Sequence, residues 1–176
     1  MSVSYQVFLQ RGRMPSSAAW LQALREAGFS VQFSPEMDLA THSGYLPCPD
    51  DRVGFELYCE PFSSTHTEIG PAGLEVVGER DVTFTFRLSG RAADREAAVA
   101  ASATLAAMSD GVLFDSESAH FIDSRAALAW ARNERYRPVA VYRARAARRR
   151  GRIRASTVVR VLMLLLITVV FAMLFG

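Results

Sequence analysis

The stretch VLMLLLITVVFAMLF, residues 161–175, holds one hydroxyl, that of Thr168, and no charge. A helix hides a lone threonine hydroxyl on a backbone carbonyl one turn back. Because the run is apolar on every side, it does not suit a helix that packs one stripe against a globular core. Residues 161–176 would rise about 24 Å as a helix, short of a hydrocarbon layer of roughly 30 Å. Starting at Ala155 extends this to about 33 Å and takes in Arg160, whose long stem can carry its charge to the headgroups. The expected span is 157–176, with Arg160 at the inner interface.

Seven arginines precede it: Arg143, Arg145, Arg148, Arg149, Arg150, Arg152 and Arg154. Positive flanks stay on the cytoplasmic side, and each basic side chain near an anionic leaflet contributes about 1 kcal/mol. The chain therefore reads as a bacterial single-pass, tail-anchored protein of the cell's inner membrane. Its N-terminal domain lies in the cytoplasm, and the arginines meet anionic lipid. Residues 1–14 lack the apolar core of a secretory signal, which agrees with that orientation.

Charge divides the chain at the same place. Residues 1–142 carry all 18 acidic side chains against 12 arginines, net −6, whereas residues 143–176 carry 8 arginines and no acid, net +8. Three segments follow: an α+β domain over 1–137, an arginine-rich juxtamembrane segment over 138–156 and the anchor over 157–176. The arginine cluster has no interleaved aromatic side chains for stacking bases, so lipid rather than nucleic acid is its expected partner. Lysine is absent throughout, which together with abundant alanine fits a GC-rich codon bias.

Within the domain, Ser4–Gln10 alternates as a first strand. The next segment has Pro15 and a serine cap at Ser16 or Ser17. Ala19, Trp20, Ala23, Leu24 and Ala27 recur at helical spacing, and Gly28 stops the helix. Phe29–Phe33 reads as a second strand, and 34–51 as an irregular loop. In 52–62, Val53, Phe55, Leu57 and Cys59 share one face while Glu56, Tyr58 and Glu60 share the other. Residues 61–73 read as a loop, and 74–88 as a hairpin whose second arm sets Val82, Phe84, Phe86 and Leu88 against Thr83, Thr85 and Arg87. A second helix fills 90–111, Gly111–Asp115 makes a short strand, and a third helix runs over 125–134 after an acidic turn. The order β-α-β-β-β-β-α-β-α implies a two-layer α+β domain with a mainly antiparallel sheet and helices on one face. A ferredoxin-like arrangement with an inserted hairpin is one concrete version.

Candidate chemistry is sparse. His42, Cys48, Cys59 and His66 offer metal-ligating atoms, but no two lie within the two to five residues by which one turn presents a ligand pair. Asp115, Glu117, His120 and Asp123 crowd one turn. A carboxylate–histidine pair there could do acid–base work, although Asp123 or Ser124 also serves to cap the next helix. Glu36, Asp38, Asp50 and Asp51 match no calcium loop. No phosphate-cradling glycine pattern or nucleophile elbow occurs, and no cofactor is expected. These features favour a membrane-tethered cytoplasmic protein-binding module, such as an immunity protein or an adaptor of an inner-membrane complex. The alternative is a membrane-associated enzyme working through Asp115, Glu117 and His120. The expected contact areas are the loops over 34–51 and 61–73 and the polar sheet face.

Overall fold

The computed structural model describes residues 3–48, 50–63, 69–89 and 91–135. The expected arginine cluster from Arg143 to Arg160, the apolar span after it, and His66 lie outside these residues. Among the described residues, no helix is long and apolar enough to cross a membrane.

Among the described residues the fold is α+β, with a six-stranded sheet and four α-helices. In chain order these are β1 (Ser4–Leu9), α1 (Ser17–Glu26), β2 (Ser43–Cys48), β3 (Asp50–Pro61) and α2 (Gly70–Val77). They continue as β4 (Val82–Arg87), α3 (Ala92–Met108), β5 (Val112–Asp115), β6 (His120–Asp123) and α4 (Ser124–Arg135). The sheet runs β2-β3-β4-β1-β5-β6, and every neighbouring pair is antiparallel.

One face of the sheet is the core. Cross-strand partners place Leu57, Phe86, Tyr5 and Asp115 in one row, and Cys59, Phe84, Val7 and Leu113 in the next. Three helices close over this face. α3 runs across its middle, and its alanines let the backbone come close to the strands. α1 begins where the Ser16 hydroxyl accepts the N–H of Ala19 at 3.2 Å. Its Trp20 is fully buried, and the indole N–H donates to the carbonyl of Ala101 at 3.1 Å. α4 begins where the Asp123 carboxylate accepts the N–H groups of Arg125 and Ala126, each at 2.9 Å. Ala127 and Ala131 face inward.

The expected alternation in 52–62 and 82–88, the three expected helices and the 111–115 strand are all present. Four expectations change. Phe29–Phe33 forms no strand: both edges of β1 are taken, by β4 and β5, so the segment has no ladder to join. It lines the core instead, with Phe29 and Val31 buried and Phe33 against Trp20, ring centroids 4.7 Å apart. Residues 34–51 contain β2, a strand despite Pro47, because an edge strand can leave one ladder donor out. The acidic turn contains β6, whose four residues are too few to show alternation.

The fourth change concerns position. The first arm of the expected hairpin is α2, and it lies on the opposite side of the sheet from the other helices. Ile69, Gly73 and Val77, four residues apart, fall on one face of this helix. Val77 packs with Phe8 and Phe114, which point away from the main core. A side chain on Gly73 would strike the ring of Phe121 at 2.9 Å, so only glycine allows this approach. Among the described residues, helices therefore cover both faces: α1, α3 and α4 on one side, and α2 over β1, β5 and β6 on the other.

Candidate functional site

The Asp115 turn is assembled as a closed set of contacts. Asp115 is nearly buried at the end of β5. One carboxylate oxygen accepts the N–H of Glu117 at 2.9 Å, and the other accepts the hydroxyl of Ser118 at 2.6 Å. Glu117 pairs with Arg95 of α3. His120 stands across the ladder from Asp115 but is exposed, and no side-chain hydrogen bond joins the two. Asp123 caps α4, as its place in the sequence suggested. Two carboxylates and an imidazole thus come close, and both carboxylates are held by internal donors.

Beneath this turn lies a group that the alternation of β1 concealed. Tyr5 sits on the core face with no exposed surface, and its hydroxyl has no hydrogen-bond partner among the described residues. Trp130 meets its ring edge-on at 5.7 Å, and the Arg95 guanidinium lies 6.0 Å from the ring centroid. Burial raises the phenol well above its ordinary range. Arg95 opposes that rise, and Asp115, Glu117 and Glu134 reinforce it. Tyr5 therefore stays a neutral phenol enclosed by protein.

The metal-ligating candidates are dispersed. Cys48 sits next to Pro47, which opposes Gly54, and Cys59 opposes Phe84 five residues further along β3, so the two thiols lie about 20 Å apart. Cys48 is buried beside the carbonyl of Leu46, and burial, with help from Asp94, pushes its thiol up to about 12. His42 is half-buried ahead of β2. No metal-binding cluster occurs among the described residues. Asp38 is occupied as a turn acceptor for the Ala40 N–H at 3.0 Å and the Thr41 hydroxyl at 2.9 Å.

The open sheet face is arranged differently. Over β2, β3, β4 and β1, cross-strand partners form three rows on the face opposite the core, the first of them reaching Arg91 at the start of α3 through Tyr45. The first is Tyr45–Glu56–Arg87–Ser4, the second Ser43–Tyr58–Thr85–Gln6, and the third Glu60–Thr83–Phe8. Tyr45 is 49% exposed and lies over Gly54, where any Cβ would meet its ring at 2.6 Å. The Arg87 guanidinium stacks 4.9 Å from the centroid of Tyr58, whose hydroxyl donates to Glu56 at 3.0 Å. Beside the third row opens a cleft of about 410 Å³, bounded by Gln6, Phe8, Glu60, Phe62 and Thr83. Tyrosine and arginine dominate the energetics of protein interfaces, and this face presents both with little order to lose on binding.

No protein-family model, curated protein or solved structure matches the chain. Its function is therefore a question for this geometry and for the sequence pattern.

Proposed function

We propose that this chain is a membrane-tethered cytoplasmic binding module that meets a protein partner through the open face of β3, β4 and β1. The observation that carries the reading is the three-row surface of Tyr45, Tyr58, Arg87, Thr85 and Glu60, left uncovered by the helices of the described residues. The apolar run at 161–175 behind its arginine flank supports the tether, with anionic lipid of the inner membrane as the surface it meets. Tethering confines the module to a thin layer and raises its effective concentration toward anything else there. An immunity protein guarding the membrane and an adaptor of a membrane complex both fit this design.

The strand order β3-β4-β1-β5, with α1 linking β1 toward β3 and α3 linking β4 to β5, supports a ferredoxin-like centre. To that centre β2, α2, β6 and α4 are additions. The internal engagement of Asp115 and Glu117 favours binding over catalysis at their turn. Ultracentrifugation of lysed cells tests the tether. The intact chain is expected in the membrane pellet, and its recovery as a monomer in the supernatant without detergent would remove the tether.

A further inference from the structure

We propose that the cleft beside Glu60 receives an arginine side chain of the partner protein. The inference rests on the binding-module reading above and specifies the chemistry of what is bound.

The argument starts from the third row of the open face. Glu60, Thr83 and Phe8 are direct cross-strand neighbours on β3, β4 and β1, so their side chains rise side by side. Phe62, just past the end of β3, meets Phe8 edge-on with ring centroids 5.3 Å apart, and its N–H donates to the carbonyl of Asp81 at 2.8 Å. That bond and the ring contact hold the cleft's aromatic wall in place. Gln6 lies one row away on β1.

Each lining group suits one part of a guanidinium. The Glu60 carboxylate is exposed and enters no hydrogen bond or ion pair among the described residues, so it can accept two parallel N–H donors. The Thr83 hydroxyl and the Gln6 amide oxygen are further acceptors for a donor group that has five N–H bonds in a plane. Phe62 offers an aromatic surface on which that plane stacks. The volume, about 410 Å³, falls within the range of sites that enclose small groups.

Charge complementarity selects the sign. The segment over residues 1–142 is net −6. On the open face Arg87 is already committed, stacked on Tyr58 and opposite Glu56, which leaves Glu60 as the charge at the cleft. Arginine is favoured over lysine because a compact ammonium cannot both stack and fork.

The test uses the full chain in lipid nanodiscs, titrated with acetyl-Gly-Arg-Gly-amide and with matched peptides containing lysine or citrulline. Side-chain NMR signals of Thr83 and Gln6 report occupancy. The arginine peptide is expected to shift both. Citrulline, which keeps the shape and loses the charge, is expected to bind at least about tenfold more weakly, the weight of one charge-assisted contact. Glu60→Gln, a conservative change at an exposed site, is expected to cost the arginine peptide a similar factor while the other signals stay in place. Equal response to arginine and citrulline, or undiminished binding by Glu60→Gln, would overturn the proposal. So would a response that appears only after arginines 143–154 are replaced, since the cleft would then belong to this chain's own segment. Failure here with the chain still in the membrane pellet leaves the binding-module reading standing, whereas a soluble chain that binds the arginine peptide removes the tether alone.

Discussion

The two faces of the sheet carry alternate residues of the same strands and have opposite characters. Toward α1, α3 and α4, the rows are Leu57–Phe86–Tyr5 and Cys59–Phe84–Val7, sealed by helices. Toward the other side, the same strands show Glu56–Arg87–Ser4 and Tyr58–Thr85–Gln6, and α2 covers only the far end near Phe114 and Phe121. A sheet needs only one buried face to be stable, so the second face is free to be chosen for something else. Polar residues on such a face are ordinary. Stacked tyrosine and arginine beside an acidic, aromatic-walled cleft are a more specific choice.

If the faces divide stability from recognition, substitutions should sort by side. The largest loss is expected at Trp20, which is fully buried and hydrogen-bonded across the core. Trp20→Ala should cost about 3–5 kcal/mol, read from thermal unfolding of the detergent-solubilised chain. A loss under about 1 kcal/mol would show that the core is not organised around it.

Reagents should tell apart the two cysteines of that face, Cys48 buried and Cys59 half-buried. With burial pushing its thiol up to about 12, Cys48 holds far less thiolate than a free cysteine at mildly alkaline pH. Mass spectrometry after brief alkylation should find Cys59 modified first and Cys48 intact until the domain unfolds.

Asp94 tests the rim that joins sheet to helix. Burial alone would raise its carboxyl. Hydrogen bonds from Ser89, from Arg91 at 2.7 Å and from the Gly54 N–H at 3.1 Å outweigh that and hold it below the ordinary carboxylate value. A depressed value in the fold means stability that is full above the unfolded value near 3.8 and is lost as pH falls through the lower folded one. Asp94→Asn should therefore cost about 1–3 kcal/mol near neutral pH, with the gap to the parent chain closing in acid. A gap independent of pH would assign the loss to shape rather than charge.

The smallest effect on stability belongs to the open face. Thr85→Arg, at the centre of the polar rows, should move the unfolding free energy by no more than about 0.5 kcal/mol. Its co-purification with a membrane partner should nevertheless fall. A large stability loss there would mean that this face is packed rather than presented.

Much of this division was legible in the sequence, because strict alternation in β3 and β4 assigns each side chain to a face before any fold is known. The two caps, narrowed to Ser16 or Ser17 and to Asp123 or Ser124, and the alanine-rich α3 were legible for similarly local reasons. What escaped depended on distant partners. Phe29–Phe33 has strand composition, but whether it joins the sheet depends on β4 and β5 having filled the edges of β1. β2 carries Gly44 and Pro47, which obscure a strand unless its edge position is known. α2 was masked by Val76 and Val77, which suit a strand locally, and the spacing of 69, 73 and 77 fits one face of either element. At the Asp115 turn, proximity was readable. The engagement of Glu117 by Arg95 and the enclosure of Tyr5 were not, since both bring together residues that are far apart in the chain.

The most direct test of the central claim is photo-crosslinking in intact cells, followed by an alkaline wash of the membranes. A photoreactive residue is placed at Thr85 on the open face or at Ala129 on the exposed side of α4. A protein adduct from position 85 and none from position 129, retained in the washed membranes, is the predicted result. Recovery of the chain in the wash, or equal adducts from both positions, would contradict the account.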